Sequence, residues 1–247
     1  MWIHDMFGTE KPIIALLHLD ALPGDPGFCG SMSEVLEHAG ADLRALQNGG
    51  VDGILFANEF SLPYQPVADI AVVSAMAYII GTLKNEIRVP FGVNVVKNPI
   101  ATIDLGAATG AQFGRSCFSG AYMGEYGLYT SNSGEAVRHR KALGIEDFKL
   151  LYKVNPEADS YLVQRDIQVV AKSIMFGGFG DGLCVSGASA GSEPDDSILN
   201  KVYEVAKPRN VPVFCNTGCR HENVRDKLKY CDAVCMGTAF KKDGVFN

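Results

Sequence analysis

Four side chains that could move a proton lie at or just after the ends of short apolar runs: His18, Asp20, Glu59 and Lys153. Imidazole and carboxylate groups are the usual general acids and bases of enzymes. A lysine amine forms a Schiff base only where desolvation lowers its pKa, and for Lys153 we favour the alternative of an ion-paired ammonium. For His18 the alternative is a structural hydrogen bond to a neighbouring carbonyl. These four residues are the candidate catalytic groups.

A second set of polar residues could orient a substrate: Asn58, Asn94, Lys97 and Arg115. Asn94 and Arg115 lie within apolar segments, where an unpaired amide or guanidinium is costly. The partner of Arg115 is therefore either a ligand carboxylate or phosphate, which we favour, or a side chain of the protein such as Asp20 or Glu59. Asn58 and Glu59 both have the alternative role of holding their loop in place.

Glu125 completes the candidate substrate-binding set. It lies in a glycine- and aromatic-rich stretch, residues 118–127, which carries no clear strand or helix pattern. We predict a long loop there, and loops of that length in compact domains are often lids over a site.

Small residues end the last three apolar runs of the chain. Glycine lets backbone N–H groups approach an anion closely, and hydroxyl groups add donors. The alternative is that short turns simply need glycine. Phosphate sites in parallel barrels often use the loops after the last two strands, which favours a phosphate site. The candidate phosphate-binding residues are Ser186, Gly187, Thr217, Gly218, Gly237 and Thr238.

Three other chemistries have little support. Residues 187–191 fit the G-x-S-x-G elbow of serine hydrolases, but that elbow needs a later acid and then a histidine. The one later histidine, His221, precedes the last predicted strand. No G-x-x-x-x-G-K-[ST] nucleotide loop occurs, and two cysteine pairs near the C-terminus are separated by three residues, unlike most zinc knuckles. We predict no metal and no cofactor.

The elements that must position these residues alternate regularly along the chain. Short apolar runs rich in Val, Ile, Phe and Leu predict strands covered by helices. The predicted strands span residues 13–19, 53–58, 90–95, 113–118, 148–154, 182–187, 212–217 and 233–238. The predicted helices span residues 33–48 (capped by Ser33), 65–83, 99–108, 134–143, 160–176, 195–206 and 221–228.

Alternating strands and helices require right-handed parallel crossovers. A closed (β/α)₈ TIM barrel and an open doubly wound sheet both qualify, and eight units in 247 residues favour the barrel. No linker divides the chain, so we predict a single α/β barrel domain over residues 1–247. Too few residues follow the last strand for the usual helix, so we expect the eighth helix to be missing or truncated.

Composition limits the partners and the compartment. The formal net charge is -6, which disfavours nucleic acid and anionic membrane surfaces. The seven cysteines are odd in number and lie mostly in apolar runs, which is typical of free thiols in a reducing compartment. The N-terminus lacks the apolar core of a signal peptide, so we predict a cytoplasmic protein. Because the predicted helix 65–83 is apolar almost all round, we also expect a homo-oligomer.

Several motifs together resemble the BtpA family, most closely its SgcQ-like branch. The motifs are His18-Leu19-Asp20-Ala21-Leu22-Pro23-Gly24, Asn58-Glu59-Phe60-Ser61-Leu62-Pro63-Tyr64, Pro90-Phe91-Gly92-Val93-Asn94-Val95, Phe118-Ser119-Gly120-Ala121-Tyr122, Cys184-Val185-Ser186-Gly187 and Phe240-Lys241-Lys242-Asp243-Gly244-Val245-Phe246. The resemblance covers essentially the whole chain. It implies a barrel of the ribulose-phosphate-binding type and a final helix beyond Asn247.

The resemblance implies less about activity. The family has no common assigned reaction; it is named for a member needed for photosystem I accumulation, and the SgcQ-like branch is associated with carbohydrate genes. Many members carry an acid near the position of Lys153 and a Lys-His pair just after it, where this chain has Asn155-Pro156-Glu157. A mechanism that uses those groups is therefore not expected here.

Two functional hypotheses remain. The first is an enzyme that acts on a small phosphorylated, sugar-like metabolite as an isomerase, epimerase or aldolase-type lyase, with polar side chains converging at the barrel mouth. The second is a non-catalytic assembly or regulatory protein that retains a barrel. A third, metal-assisted hydrolysis through His18 and Asp20, has weaker support because only one histidine ends a predicted strand.

Overall fold

The computed structural model of the protein describes residues 1–157, 159–189, 191–242 and 245–246. Asp243 and Gly244 of the C-terminal motif, and Ala190 of the G-x-S-x-G pattern, lie outside these residues. Within them, parallel strands form a closed eight-stranded barrel, which confirms the predicted fold. The barrel strands are β1 (Ile13–His18), β2 (Gly53–Ala57), β3 (Phe91–Asn94), β4 (Phe113–Ser116), β7 (Lys149–Asn155), β9 (Gly182–Val185), β10 (Val213–Cys215) and β11 (Ala233–Met236).

Helices cover the outside of the barrel, and the main hydrophobic core lies between them and the outward-facing strand residues. The helices of the described residues are α1 (Trp2–Phe7), α2 (Met32–Asn48), α3 (Ile70–Leu83), α4 (Pro99–Thr109), α5 (Ser133–Ala142), α6 (Ile167–Gly177), α7 (Asp196–Ala206) and α8 (Val224–Lys227). None of the helices in these residues has the length and apolar character needed to cross a bilayer.

Three helices start at positions that differ from the predictions, and at two of them a capping side chain explains the difference. The predicted cap Ser33 is wrong, because Ser31 Oγ accepts a hydrogen bond from the Glu34 amide and caps α2, which begins at Met32. The predicted helix 160–176 begins only at Ile167, where Asp166 caps it through two backbone amides. The predicted helix 65–83 begins at Ile70, after an extended Asp69.

The predicted loop 118–127 is wrong: this segment belongs to a three-stranded antiparallel sheet beside the barrel mouth. Its strands are β5 (Gly120–Gly124), β6 (Gly127–Ser131) and β8 (Asp159–Tyr161). Tyr122 pairs across the sheet with Tyr129 on one side and Tyr161 on the other. The three rings pack together, and cross-strand aromatic pairs of this kind stabilise a small sheet.

The opposite end of the barrel is closed by α1, which was not predicted. Its Ile3 is fully buried, Trp2 stacks on Phe214, and Phe7 lies edge-on to Phe113. The Trp2 indole nitrogen donates a hydrogen bond to the Asp181 carbonyl just before β9. This short helix therefore seals the barrel end at which the strands begin.

The described residues after β11 form a 3₁₀ helix, Thr238–Phe240, and a short antiparallel pair, β12 (Lys241–Lys242) and β13 (Val245–Phe246), with no α-helix. β13 lies against α2. This arrangement brings Lys241 to the barrel mouth beside β1, where its ammonium lies 3.4 Å from His18 Nδ1.

Candidate functional site

A cavity of about 390 Å³ opens at the carboxyl ends of the strands. This size falls in the range of small-molecule sites, and the position is where parallel barrels carry their active sites. The predicted residues that line it are His18, Glu59, Asn94, Lys97, Arg115, Lys153, Thr217, Gly218, Gly237 and Thr238. Asp20, Asn58, Glu125, Ser186 and Gly187 do not line it.

Strand periodicity explains how the polar groups reach the cavity. Successive residues of a strand face opposite sides, so every second residue points into the barrel. Phe113 and Leu151 belong to the buried inner cluster. Two residues further along the same strands, Arg115 and Lys153 line the cavity. A spacing of two residues along the strand thus separates an apolar layer of the barrel interior from a charged layer.

A hydrogen-bonded chain runs across the floor of the cavity. Arg115 Nη1 donates to Asn216 Oδ1 at 2.8 Å, and Asn216 Nδ2 donates to Glu157 Oε1 at 2.9 Å. Glu157 Oε2 in turn accepts from Lys153 Nζ at 2.8 Å. These hydrogen bonds join side chains that lie on or just after β4, β7 and β10. The three strands are not all neighbours in the barrel.

The Lys153–Glu157 pair is ionised. Burial alone would raise the pKa of Glu157, but Lys153 and Arg115 together hold it below its usual value. Burial would likewise lower the pKa of Lys153, but Glu157 raises it above its usual value. Lys153 is therefore an ammonium rather than a free amine, which favours electrostatic work over Schiff-base chemistry.

Arg115 is only 3% exposed, and its hydrogen-bond partners include neutral side-chain amides. Besides Asn216 it contacts Asn94, whose two amide atoms lie 2.7 Å from the Arg115 carbonyl oxygen and 3.2 Å from Nη2. Both contacts are hydrogen bonds when the Asn94 nitrogen donates to the carbonyl and its oxygen accepts from the guanidinium. The buried Nε of Arg115 has no hydrogen-bond partner in the described residues.

Lys97 occupies a second wall of the cavity. It has a left-handed backbone, with φ of 60°. Its ammonium lies 2.8 Å from Asp159 on the three-stranded sheet of β5, β6 and β8, called the accessory sheet below. The same ammonium lies 4.9 Å from the centre of the Tyr126 ring and 5.9 Å from that of Tyr129. Lys97 therefore fastens the accessory sheet to the barrel mouth as well as lining the cavity.

His18 ends β1 and is held neutral. Burial, and then the positive charges of Lys241 and Arg115, lower its pKa to about 3. Its Nδ1 lies 3.4 Å from Lys241 Nζ, while its buried Nε2 has no partner in the described residues. The Phe60 ring, which also lines the cavity, lies edge-on to the imidazole.

Glu59 lines the cavity two positions after the end of β2. The neighbouring Tyr64 fixes this loop by donating a hydrogen bond from its hydroxyl to the Glu59 carbonyl oxygen at 2.8 Å. The Tyr64 ring packs edge-on against Tyr126 of the accessory sheet. Glu59 thus lines the cavity from a loop that Tyr64 holds in place.

Three predicted residues lie away from the cavity. The Asp20 carboxylate is 2.7 Å from His38 Nδ1 on α2, at the surface. Asn58 is buried and accepts a hydrogen bond from the Val96 amide, which ties the segment after β2 to the segment after β3. Glu125 is exposed in the turn between β5 and β6.

The predicted phosphate turns divide into two groups. In the first, the polar groups already have partners: the Gly187 amide donates to Thr217 Oγ1, which donates to the Ser192 carbonyl. Ser186 Oγ accepts from Asn216. In the second group, the turns after β10 and β11 expose Gly218, Gly237 and Thr238 to the cavity.

Five functional candidates were missed by sequence reasoning: Glu157, Asp159, Asn216, Arg220 and Lys241. Two carried a signal in the sequence, since Glu157 follows Lys153 by four residues and Asn216 is a polar residue at the end of a buried strand. The other three reach the site through turns and the accessory sheet. Their positions depend on chain paths that strand periodicity does not predict.

No group of three or more His, Cys, Asp or Glu side chains in the described residues is placed to hold a metal ion. The cysteines are free thiols, six of them buried. Cys215 and Cys219 lie with their sulfur atoms 3.3 Å apart beside the turn after β10.

Comparison with known proteins agrees with the fold. The N-acetylmannosamine-6-phosphate 2-epimerase of Clostridium perfringens superposes with a TM-score of 0.59 at 15% sequence identity, over 96% of this chain and 91% of that one. At this identity the likeness concerns the barrel fold.

Comparisons of sequence identify the family. The chain is 48% identical to SgcQ, a protein of the sgc region of Escherichia coli K12, over 99% of this chain and 91% of that protein. It is 30% identical to the photosystem I biogenesis protein BtpA of Synechocystis, over its whole length and 86% of the relative. The model of the BtpA family matches residues 9–247. With this match over nearly all of its length, the chain belongs to the BtpA family.

Proposed function

We propose that the protein binds a small phosphorylated, sugar-like metabolite at the barrel mouth and moves a proton beside its carbonyl group, as an isomerase, epimerase or aldolase-type lyase. One observation carries this proposal: the cavity combines buried, fixed cations with a carboxylate and a neutral imidazole. Such a set can bind an anion, take up a proton and stabilise negative charge on an oxygen.

The phosphate end of the ligand would lie at the turns after β10 and β11. Gly218 and Gly237 line the cavity there, and glycine allows close approach of an anion to the backbone. The exposed side chain of Arg220 stands at the same rim and supplies a guanidinium, which suits phosphate.

The reacting end would lie deeper, toward the floor. Glu59 is the candidate base, because it lines the cavity and carries a carboxylate. Removing a proton next to a carbonyl places negative charge on the carbonyl oxygen. The ammonium of Lys153 and the guanidinium of Arg115 are held in place before reaction and would stabilise that charge without reorganisation.

The fold neighbour supports the ligand class. The Clostridium perfringens protein is named for epimerisation of a phosphorylated amino sugar. The same barrel can host many chemistries, so the neighbour supports the class of ligand, and the cavity residues carry the argument for this chain.

The test is a screen of sugar phosphates by thermal stabilisation, with mass spectrometry to follow turnover. We expect at least one compound to raise the melting temperature and to be converted. Arg220→Ala should weaken its binding about tenfold, or about 1.4 kcal/mol, because an exposed guanidinium is lost without a change in the core. Arg44→Ala, another exposed arginine, which pairs with Glu86, is the matched control and should leave binding unchanged. Neither stabilisation nor turnover across the panel would sink the proposal.

A second candidate is a non-catalytic assembly protein, in line with the name of the Synechocystis relative. Helix α3 favours it, because its Ile70 and Tyr78 remain exposed in the single chain. We propose that α3 contacts another protein, in the simplest case a second copy in the cytoplasm. Sedimentation at micromolar concentration tests the homo-oligomer, and a monomer would contradict it. A captured partner that survives Arg115→Ala and His18→Ala would favour assembly over catalysis.

A further inference from the structure

The imidazole of His18 is held from two sides at the end of β1. Its Nδ1 faces the Lys241 ammonium at 3.4 Å. Its other edge lies against Gly237: a Cβ atom at that position would stand 3.0 Å from His18 Cε1 and 3.3 Å from Nε2. The Nε2 atom is buried and has no hydrogen-bond partner in the described residues. The ring lines the cavity.

The identity of the neighbour decides where the imidazole proton lies. A lysine ammonium has three donors and no acceptor, so the nitrogen that faces it must accept. In a neutral imidazole one nitrogen accepts and the other carries the proton. With Nδ1 accepting from Lys241, the proton of His18 lies on Nε2.

We propose that Lys241 holds His18 as a neutral imidazole with its proton on Nε2, so that His18 presents a hydrogen-bond donor, rather than a base, to an oxygen atom entering the cavity. Lys241 is then a positioning residue that acts through His18. The assignment of the entering oxygen to a carbonyl or developing alkoxide of a ligand rests on the proposed function; the protonation state of His18 does not.

The charges around the pair agree with this assignment. Burial lowers the pKa of His18, and Lys241 and Arg115 lower it further, so the ring stays neutral across the physiological range. Burial also lowers the pKa of Lys241, while the carboxylates of Asp42, Glu59 and Asp20 oppose that effect and favour the ammonium. Among the described residues, the charges that act on the pair thus come from β4, from α2 and from the segments that follow β1 and β2.

The roles of the cavity groups are separated in consequence. A neutral imidazole with a low pKa accepts a proton poorly, but it can donate a hydrogen bond to an oxygen on which charge develops. His18 therefore joins Arg115 and Lys153 on the side that stabilises negative charge. The base must be another group, and Glu59 lines the same cavity.

The experiment uses the complete chain labelled with ¹⁵N-histidine. Long-range ¹H–¹⁵N spectra distinguish the two neutral tautomers and the imidazolium, and the His18 signals are identified by their loss in His18→Asn. We expect the Nε2–H form at every pH from 5 to 9. In Lys241→Met, which keeps the length of the side chain but not its charge, we expect both tautomers and a titration midpoint closer to 6.5. Lys229→Met, an exposed lysine paired with Asp226, is the matched control and should leave the spectrum unchanged.

An imidazolium at pH 6, an Nδ1–H tautomer, or a Lys241→Met spectrum identical to that of the parent protein would overturn the inference. The measurement needs no ligand, so its outcome is independent of the sugar-phosphate screen. An Nε2–H spectrum that collapses in Lys241→Met supports the inference even if no sugar phosphate binds, whereas that failure counts against the proposed function alone. With dihydroxyacetone phosphate as the probe, a bound state that leaves the Hε2 resonance unmoved would contradict the donor role.

Discussion

The two ends of the barrel interior are built on the same strands but differ completely in chemistry. At the end sealed by α1, the inward residues are apolar and fully buried, as Phe113, Leu151 and Phe214 are. Two residues later on the same strands, Arg115 and Lys153 line an open cavity. The strands are continuous, so the difference lies in the side chains and in what covers each end.

This contrast teaches that stability and binding are separated along the barrel axis. A substitution at the sealed end can lower the free energy of unfolding without changing a residue that lines the cavity. The open end holds ion pairs that gain little net stability over apolar packing, yet it carries the groups suited to chemistry. The expected effects below test that separation.

The largest expected effect is at the sealed end. Phe113 is fully buried, rests against Gly92 and lies edge-on to Phe7. Phe113→Ala should lower the free energy of unfolding by about 3–5 kcal/mol, because it leaves a cavity in a dry interior. Chemical denaturation measures this free energy. The control is Phe176→Ala, at a phenylalanine that is 90% exposed, and it should change the free energy of unfolding by no more than about 0.5 kcal/mol. A loss of ligand binding in the folded Phe113→Ala protein would break the separation.

The Lys153–Glu157 pair at the open end comes next. Its side chains are 16% and 13% exposed, so Lys153→Met leaves a poorly solvated carboxylate and should cost about 3 kcal/mol. Adding Glu157→Gln removes that charge but keeps an oxygen to accept from Asn216, and should recover most of the loss. A double-mutant cycle from urea denaturation measures the coupling. Costs that simply add would show that the two groups do not act as a pair.

The pH dependence of stability should come partly from His18 at the open end. Its pKa is about 3 in the folded protein and near 6.5 in the unfolded chain, so the unfolded chain binds more protons between these values. The contribution of neutral His18 to the free energy of unfolding is complete above pH 6.5 and is lost as the pH falls toward 3. The loss is at most about 1.4 kcal/mol per pH unit. Unfolding of His18→Asn between pH 7 and 4 should be less pH-dependent than that of the parent protein. Leu151→Val, at the sealed end, should shift the curve in parallel; a changed slope there would contradict the comparison.

The smallest effect is expected at the outer edge of the mouth. Asp20 pairs with His38 at the surface, where exposed ion pairs contribute little. Asp20→Asn should change the free energy of unfolding by less than about 0.5 kcal/mol and leave sugar-phosphate binding intact. A tenfold loss of binding would return Asp20 to the functional site.

The sequence predicts the deepest cavity residues because their polar side chains interrupt the apolar runs that form the strands. Arg115 interrupts an apolar strand, and the cost of burying a guanidinium marks it as a site residue. Asp20 is a predicted site residue because it follows His18 closely, but the chain turns after β1 and places the Asp20 carboxylate against His38 of α2. The loop prediction for 118–127 was wrong because the glycines in this segment obscure its strand pattern. The strands form because Tyr122 pairs with two other tyrosines, one of them 39 residues away.

The amino-acid sequence by itself determined the barrel, the level at which its interior becomes polar and the family of the protein. These follow from local periodicity, burial costs and motifs, which can be read residue by residue. Only the tertiary structure decided that Glu157 reaches Arg115 through Asn216, that Lys241 faces His18, and that α1 seals the other end. Those contacts join segments far apart in the chain, and their geometry depends on barrel closure, which no local pattern contains.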